Sequence, residues 1–453
     1  MFKKVAVANR GTIAARLVRA LAGLGVPSHV LCSEADRDNP YVTEADGFTV
    51  IGPPPPRESY LDRERVAEAA LAAGCDAVHP GYGFLSEDAL FAELCAGKGL
   101  RFIGPSPAWL RVMGDKVASR RLMGGKGLPL CPSTGILRGT AEEMARECEA
   151  LGFPLLIKPA GGGGGIGMVP VSGPERLAQA LATAASQAER GFGRADLYAE
   201  RLLVSPRHVE FQVAADGRTA VHLHERDCSV QRRRQKVVEE AGAQGIPRPE
   251  LEAMAAKAAA ILAGSGYDHL GTVETLYSPE AGFGFLEVNP RLQVEHAVTE
   301  ELTGVDLVEL QVRLAAGSPV PELLPAPPPF SGHAVEARIY AEDPVRFLPS
   351  PGALKVFRPP RGPGIRVETG FREGGAVTPF YDPMIAQVIA RGPDRLAALD
   401  LLSDALGEFA VEGVRTNIGF VRALVRHEPF REGKVHTTMA EEFVKLKGYQ
   451  PLP

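Results

Sequence analysis

The sequence predicts a three-domain protein that combines α/β and α+β architecture. The chain has 453 residues, which corresponds to about three domains of ordinary size. Short apolar runs alternate with helical patterns through residues 1–114, and this alternation is typical of a parallel sheet. A proline-rich segment, Pro319–Phe330, resembles a stiff linker before the last third of the chain.

The composition is that of an ordinary soluble globular protein, with 45% hydrophobic and 23% charged residues. A formal net charge of −5 does not predict a nucleic-acid or anionic-membrane partner. No run approaches the roughly 18 apolar residues of a membrane span. Met1–Lys4 leads straight into a strand, without the apolar core of a signal peptide. The 6 cysteines are scattered without a CxxC pair, so we expect reduced thiols in the cytoplasm.

Strands and helices alternate in the first region. They are predicted at Val5–Ala8, Ile13–Leu24, His29–Cys32, Arg63–Ala73, Ala77–His79, Phe91–Lys98 and Arg101–Ile103. Ligands of parallel sheets usually bind beyond the carboxyl ends of the strands, and two such ends carry Asn9–Gly11 and Pro80–Phe84. Tight turns enforced by glycine and proline are the structural alternative for both loops. No GxGxxG pattern follows the first strand, so no dinucleotide site is predicted.

A lysine and a glycine run stand together in the second region. Leu155–Pro159 is predicted as a buried strand, and its Lys158 is costly to bury unless it meets an anion. Five glycines, Gly161–Gly165, follow directly, and their backbone N–H groups can approach phosphate oxygens. Because a second apolar run comes next, we interpret the glycines as a lid between two strands; a flexible linker is the alternative. Lys116, upstream, is weak evidence by itself.

Three later stretches suit a nucleotide and its charge. Leu197–Leu203 is predicted as a strand at a domain edge, a plausible wall for an adenine pocket. Arg207–Val213 alternates as a strand and carries His208, a residue type that is more often structural than functional. Glu225–Glu240 contains five basic residues and suits an anionic substrate, with ordinary surface charge as the alternative.

Two strand-like runs, Gly271–Tyr277 and Phe285–Asn289, carry oxygen ligands. Successive strand side chains point to opposite faces, so Glu287 and Asn289 point the same way. If the two strands pair, Glu274 joins them, and such hard oxygen ligands suit Mg²⁺. An amphipathic strand with a solvated polar face is the alternative.

The residues after Pro290 extend this pattern. Arg291, Gln293 and Glu295 share a face if the chain stays extended. That arrangement places a cation and a possible base beside the predicted metal site.

Together, Lys116, Lys158, the glycine run and the acidic strands resemble the ATP-grasp superfamily. Longer phrases are similar to the biotin carboxylase component of biotin-dependent carboxylases. These phrases are VANRGTIAAR, HPGYGFLSE, MGDK, KPAGGGGGIGM, ERDCSVQRRRQKVVEE, EVNPRLQVEH and GHAVEARIYAEDP. The resemblance extends from about residue 2 to 445, and the order of several long phrases makes it specific.

The resemblance implies an N-terminal α/β domain over 1–114, an ATP-grasp domain over 115–330 with a mobile lid at about 131–203, and a C-terminal domain over 331–447. It implies a ligase that converts ATP and bicarbonate into carboxyphosphate, which yields CO₂ for carboxylation of the ureido nitrogen of biotin. This reaction is the first half-reaction of acetyl-CoA carboxylase, as in fatty acid biosynthesis, or of another acyl-CoA carboxylase.

Roles of individual residues also follow from the resemblance. ATP would be bound by Lys116, Lys158, Gly164, Gly165, Glu200, Arg201, Leu202, Leu203, His208, Gln231, Arg234, Glu274 and Glu287. Mg²⁺ (or Mn²⁺) would be held by Glu274, Glu287 and Asn289, and bicarbonate by Lys236, Arg291, Gln293 and Val294. Glu295 would be the general base, Arg291 would stabilise the intermediate and the biotin enolate, and Arg338 and Tyr82 would line the biotin site.

Four positions depart from the family pattern: Thr12, Ile166, Arg234 and Pro290. None of them removes a predicted metal ligand, a bicarbonate ligand or the base. Ile166 lies beside the glycine run and Arg234 lies near the nucleotide, so both bear on nucleotide affinity or lid closure.

The chain has no Met-Lys-Met sequence for biotin attachment. We therefore expect the biotin carboxyl carrier protein and the carboxyltransferase subunits to be separate polypeptides, with biotin presented as a carrier-bound substrate. The family also implies a homodimer.

Two other functions remain open at this point. One is a different ATP-grasp ligase that joins a carboxylate to an amine; the phrases RLQVEH and HPGYGF weigh against it. The other is a regulatory nucleotide-binding paralogue without turnover. Ile166 and Arg234 favour the paralogue, while the intact metal ligands and base disfavour it.

Overall fold

The structure is a computed structural model, and it describes residues 1–160 and 167–446. Its first sheet has five parallel strands in the order β3-β2-β1-β4-β5. The strands are β1 (Val5–Val7), β2 (Ser28–Cys32), β3 (Gly47–Val50), β4 (Ala77–His79) and β5 (Arg101–Phe102). The helices that alternate with them or follow are α1 (Gly11–Gly23), α2 (Pro40–Glu44), α3 (Arg63–Ala72), α4 (Ala89–Gly97) and α5 (Pro107–Gly114).

The strand order reverses at β1, which lies between β2 and β4. Ligands of such sheets bind outside the carboxyl ends of the strands at this switch point. The loops after β1 and β4 are tied together there, because Asn9 Nδ2 donates to the carbonyl oxygens of Pro80 (2.6 Å) and Tyr82 (2.8 Å). The first domain therefore presents both predicted loops at one edge.

A second, four-stranded sheet follows helix α6 (Lys116–Gly125). Its antiparallel strands run in the order β6-β9-β7-β8. They are β6 (Ser133–Ile136), β7 (Leu155–Pro159), β8 (Val169–Val171) and β9 (Leu197–Arg201), with α7 (Ala141–Leu151) and α8 (Leu177–Phe192) packed on the sheet. Leu155 and Ile157 alternate into the core under these helices, so the residue between them faces the other side.

An eight-stranded antiparallel sheet carries most of the remaining chain, in the order β14-β13-β10-β11-β12-β15-β20-β18. The strands are β10 (Arg207–Ala215), β11 (Ala220–Arg232), β12 (Gln235–Ala241), β13 (Leu270–Ser278), β14 (Gly282–Asn289), β15 (His333–Tyr340), β18 (Ile365–Glu368) and β20 (Met384–Gly392). Four short strands form two further pairs: β16 (Gly352–Ala353) with β19 (Ala376–Val377), and β17 (Val356–Arg358) with β21 (Ala410–Glu412).

Helices cover this sheet and complete the chain. They are α9 (Arg248–Ala263), α10 (His296–Thr303), α11 (Leu307–Ala315), α12 (Val320–Leu323), α13 (Arg395–Glu408), α14 (Ile418–Val425), α15 (Glu428–Arg431) and α16 (Met439–Phe443). On β10, Val209, Phe211 and Val213 belong to the hydrophobic core that contains α9. The intervening polar residues therefore project from the opposite face, toward the site.

The predicted mixed architecture is confirmed: a parallel-sheet domain, a middle region with antiparallel sheets and a C-terminal region combine in one α/β chain. Pairing of β12 with β15 makes the large sheet continuous past residue 330, where the sequence predicts a domain boundary. The predicted stiff linker contains the short helix α12, whose Val320 is buried. Within the described residues, no helix is long and apolar enough to cross a membrane.

Candidate active site

A cavity of about 860 Å³ lies where the three sheets meet. Loops after β1 and β4, the inner face of the four-stranded sheet and the polar face of the eight-stranded sheet all contribute to it. The predicted site residues that line it are Tyr82, Lys116, Lys158, His208, Gln231, Arg234, Lys236, Glu274, Glu287, Asn289, Arg291, Gln293, Val294, Glu295 and Arg338. Residues far apart in the sequence are thus brought together.

The two predicted acidic strands do pair. In the antiparallel register of β13 and β14, Glu274 lies directly opposite Glu287, and Thr272 lies opposite Asn289. Lys116 Nζ is 3.3 Å from Glu287 Oε2, and Asn289 Oδ1 accepts a 3.3 Å hydrogen bond from Arg291. Two carboxylates and an amide oxygen form a donor set that suits a hard divalent cation.

Glu274 is ionised by its neighbours. Burial raises its pKa, but Lys236 and His208 outweigh burial and lower the pKa well below the ordinary value. Lys236 Nζ donates to Glu274 Oε1 at 2.9 Å, and Glu274 Oε2 lies 3.1 Å from His208 Nε2. Gln231 lies 2.9 Å from the other ring nitrogen of His208. The side chains predicted to face the nucleotide therefore also orient a predicted metal ligand.

Lys236 contacts three buried carboxylates. Its ammonium donates to Glu210 (2.6 Å), Glu274 (2.9 Å) and Glu295 (2.5 Å). Burial lowers the pKa of a lysine, but the surrounding negative charges raise the pKa of Lys236 well above its ordinary value. The lysine is a fixed positive charge in the middle of the site.

Glu295 is held on both oxygens by cations. Lys236 donates to Oε1, and Arg338 Nη2 donates to Oε2 at 2.8 Å. Burial raises the pKa of Glu295, but Lys236, Arg338 and Arg226 lower it far below the ordinary value. The side chain is a carboxylate at neutral pH, as a general base requires.

The chain does not stay extended past Pro290. Strand β14 ends at Asn289, residues 291–295 bend, and α10 begins at His296. Arg291, Gln293 and Glu295 nevertheless all line the cavity. Arg291 Nε also donates to Glu87 at 2.6 Å, which joins this loop to the PGYGFLSE segment of the first domain.

Arg226 is a buried residue whose role sequence reasoning missed. Its guanidinium donates to Glu210, Gln212, Thr272, Gln293 and Thr299 at 2.6–3.2 Å. Gln293, which Arg226 holds in place, in turn positions Glu274, because its amide donates to Glu274 at 2.7 Å. Glu210, a partner of Arg226, was also missed. The alternation in RHVEFQV could have indicated it, because Glu210 shares a strand face with His208.

The four-stranded sheet contributes Lys158. Its Nζ donates to Glu200 Oε1 at 2.5 Å, and Arg120 Nη1 lies 2.9 Å from the other oxygen of Glu200. Two buried cations share one carboxylate, so this end of the cavity carries an excess positive charge. The arrangement satisfies the expectation that Lys158 meets an anion and leaves charge for a phosphate.

Other predicted nucleotide residues lie differently. The side chain of Arg201 donates to the carbonyl oxygen of Leu151, and the backbone N–H of Leu202 donates to Pro154. Glu200, Arg201, Leu202 and Leu203 are not among the residues that line the cavity. Gly164, Gly165 and Ile166 lie outside the described residues.

Arg234 lies at the tip of the β11–β12 hairpin. Arg233 and Arg234 both have positive φ values, 47° and 66°, as a two-residue turn of the primed type requires. Arg234 Nη2 donates to the carbonyl oxygen of Met168 at 3.4 Å. The turn thus brings a basic residue to Met168, which directly precedes β8.

Comparison with known proteins covers nearly the whole chain. Residues 1–110 match the family "Biotin carboxylase, N-terminal domain", 115–323 match "Carbamoyl-phosphate synthase L chain, ATP binding domain", and 336–442 match "Biotin carboxylase C-terminal domain". A biotin carboxylase of Halalkalibacterium halodurans is 45% identical over 99% of this chain and 99% of its own length. The mitochondrial methylcrotonoyl-CoA carboxylase subunit alpha of Oryza sativa is also 45% identical, over 97% of this chain and 60% of its own length.

A solved structure is also similar over nearly the whole chain. The biotin carboxylase domain dimer of Hydrogenobacter thermophilus 2-oxoglutarate carboxylase, in complex with MgADP, ADP and bicarbonate, superposes with a TM-score of 0.94. It is 39% identical and covers 99% of this chain and 100% of its own chain.

Proposed function

The chain belongs to the biotin carboxylase family, and from that premise we propose that it uses ATP and bicarbonate to carboxylate biotin. The observation that carries the proposal is the position of Glu295. An ionised carboxylate lies between Lys236 and Arg338, in the cavity to which Lys116 and Lys158 bring positive charge. A base and an anion site in one cavity suit deprotonation of bicarbonate beside a nucleotide phosphate.

ATP is bound across the two sheets. Its phosphates lie near Lys158, where Arg120 and Glu200 leave one positive charge in excess. The remaining proposed contacts are Lys116, Gly164, Gly165, Arg201, Leu202, Leu203, His208, Gln231 and Arg234. Because phosphoryl transfer depends on positioning and charge neutralisation, these lysines and arginines supply what the reaction needs.

Glu274, Glu287 and Asn289 fit a divalent metal ion by the chemistry of their donor atoms, which are two carboxylates and an amide oxygen around paired strands. Mg²⁺ (or Mn²⁺), when bound there, neutralises negative charge on the nucleotide phosphates. Lys236 donates to Glu274 and keeps this ligand ionised, and Lys116 lies 3.3 Å from Glu287 and orients the second carboxylate.

In the first step, bicarbonate binds to Lys236, Arg291, Gln293 and the backbone of Val294. Glu295 takes the proton of bicarbonate, and the resulting oxyanion forms a bond to the γ-phosphorus of ATP as the bond to ADP breaks. Before bicarbonate binds, Lys236 and Arg338 donate hydrogen bonds to Glu295. A bound anion that takes over these hydrogen bonds raises the basicity of Glu295 and so prepares it for its role.

In the second step, carboxyphosphate breaks into CO₂ and phosphate. The ureido nitrogen of biotin loses its proton to that phosphate and forms a bond to CO₂. Arg291 stabilises the negative charge of the intermediate and of the biotin enolate, while Arg338 and Tyr82 line the biotin site.

The partners follow from the same premise. Biotin is presented by a biotin carboxyl carrier protein, and carboxyltransferase subunits pass the carboxyl group to an acyl-CoA. The chain forms a homodimer; its Hydrogenobacter thermophilus relative is described as a dimer.

The test measures ADP release with Mg²⁺ and bicarbonate, with and without free biotin. We expect biotin to stimulate turnover and Glu295→Gln to reduce stimulated turnover by about 10²- to 10⁴-fold, because the general base is lost. ADP affinity should change little, since Glu295 is not among the proposed nucleotide contacts.

Glu225→Gln is the matched control. Glu225 is also a buried carboxylate of the large sheet and is bonded to Arg248 at 2.6 Å, but it does not line the cavity. It should retain turnover. Tight ATP binding without any biotin-stimulated ADP release would overturn the proposal and favour a regulatory nucleotide-binding protein.

A further inference from the structure

Two buried glutamates face each other behind the site. In the antiparallel pairing of β12 and β15, Glu239 lies directly opposite Glu336. Both side chains have no exposed surface. Opposed residues of antiparallel strands have Cβ atoms only about 4.5–5.5 Å apart, so their carboxyl groups interact strongly.

Each glutamate uses one oxygen and leaves the other without a partner. Glu239 Oε1 accepts from Arg338 Nε at 2.5 Å, and Glu336 Oε1 accepts from Gln387 Nε2 at 2.6 Å. Oε2 of both residues is buried with no hydrogen-bond partner among the described residues. An unpaired carboxylate oxygen is costly to bury, and two facing each other are more so.

The surrounding charges do not compensate two negative groups. Arg338 is the cation bonded to the pair, and it is shared with Glu295. Lys236 lies nearby but already serves three other carboxylates. The other titratable groups that interact electrostatically with the pair are Cys228, Tyr82, Tyr340 and Glu295, and none of them is a cation. Burial is the largest influence on both glutamates and raises the pKa of each.

We infer that Glu239 and Glu336 hold one proton in common, and that this singly charged pair positions the general base of the reaction. The inference rests on the proposed function of Glu295 and Arg338. With one proton, the pair keeps a single negative charge, which Arg338 matches.

The pair acts on the base from two sides. Glu239 holds Arg338 by Nε, which aims Nη2 of the same guanidinium at Glu295. Glu336 holds Gln387, whose amide also donates to the carbonyl oxygen of Val294 at 2.7 Å. Val294 directly precedes Glu295, so one strand pair fixes both the partner and the backbone of the base. Neither glutamate bonds to the base itself, so both are positioning residues.

Glu336→Gln tests the shared proton. The amide N–H can replace the proton, and the amide oxygen can still accept from Gln387. Above about pH 5, the glutamates of the unfolded chain have lost their protons, whereas the folded pair keeps one. The folded wild-type protein therefore loses stability as the pH rises, until the pair itself loses its proton. The variant lacks this loss. The difference in Tm between Glu336→Gln and wild type should therefore grow in favour of the variant from about pH 6 to about pH 9.

Infrared spectroscopy provides a second readout. A shared proton gives the carbonyl stretch of a protonated carboxylic acid at neutral pH, and this band should be lost in Glu336→Gln. The inference is overturned if the Tm difference is constant over that pH range and the band is unchanged. Both readouts are independent of turnover, so an inactive wild-type enzyme would contradict only the proposed function.

Glu336→Leu tests the positioning role. It removes both the proton and the acceptor for Gln387, so we expect a rise of about tenfold in KM for bicarbonate and a fall in kcat. Glu336→Gln should remain within about threefold of wild type at neutral pH. Equal losses in the two variants would overturn the role.

Glu240→Gln is the matched control for stability. Glu240 is the next residue of β12, is also buried and is bonded to Arg395 and His333. Although burial raises its pKa, these partners lower the pKa to about 2, so it carries no proton to lose. Glu240→Gln should have a lower Tm than wild type, and the Tm difference between the two proteins should stay constant from about pH 6 to about pH 9.

Discussion

Two lysines in one cavity differ in what surrounds them: the buried Lys158 on the four-stranded sheet and the partly buried Lys236 on the eight-stranded sheet. Each donates a 2.5 Å hydrogen bond to a carboxylate. Lys158 shares its single carboxylate, Glu200, with Arg120, whereas Lys236 contacts three carboxylates. The same residue type thus lies in an excess of positive charge at one end and among negative charges at the other.

The difference shows how one cavity can bind opposite charges. A phosphate is attracted to the Lys158 end, because a buried excess of positive charge is satisfied by an anion. At the Lys236 end, carboxylates are ionised and oriented by a fixed cation, so they can serve as metal ligands and as a base. Burial alone therefore does not distinguish the two lysines. The number of carboxylates that each lysine contacts does.

The largest effect is expected from Lys236→Met. Three buried carboxylates lose a shared partner, and breaking a buried ion pair from one side costs about 3–5 kcal/mol. Urea unfolding should show this loss in the free energy of unfolding, and bicarbonate-dependent ADP release should disappear. Lys257→Met, on the exposed face of α9, is the control. A loss below about 1 kcal/mol would mean that the carboxylates are not dependent on Lys236.

Lys158→Met should have a smaller effect on stability, because Arg120 still pairs with Glu200. Its main result should be weaker nucleotide binding, with KM for ATP raised about 10- to 100-fold through loss of a phosphate contact. KM for bicarbonate should stay near the wild-type value. A bicarbonate defect as large as the ATP defect would remove the distinction between the two ends.

The smallest change in nucleotide affinity is expected from Glu200→Gln. It leaves Lys158 and Arg120 without their shared carboxylate, so the positive excess of this end increases. We expect ADP to bind a few-fold more tightly at low ionic strength, with the gain lost in about 0.5 M salt. Titration calorimetry at two salt concentrations checks this. Weaker binding at low salt would indicate that Glu200 mainly holds Lys158 in place.

Sequence alone predicted much of the site. Alternation in two strands placed Glu274, Glu287 and Asn289 together, and their pairing is observed. The family, the fold class and the biotin carboxylase reaction were predicted from long phrases, and the comparisons confirm them. The roles of individual residues stay predictions.

The rest depended on which strands become neighbours. Alternation assigns a side chain to a face of a strand but does not name the strand beside it. Glu239 and Glu336 are far apart in the sequence. They meet only because β12 pairs with β15. Arg226 was similarly hidden in a charge-dense stretch, since its partners come from two other strands, β10 and β13, and from two later segments.

The pairing of β12 with β15 also decides whether the chain can be divided. A cut within Pro319–Phe330 would separate Val238–Ala241 from Ala334–Ala337 and leave each fragment with an unpaired edge in the middle of a former sheet. Such edges invite aggregation when fragments are produced alone. The same edges are complementary, so two co-expressed fragments would restore the sheet. The proline-rich segment is therefore a suitable place to split the enzyme into two halves. Recovery of activity would then show that the two halves have associated.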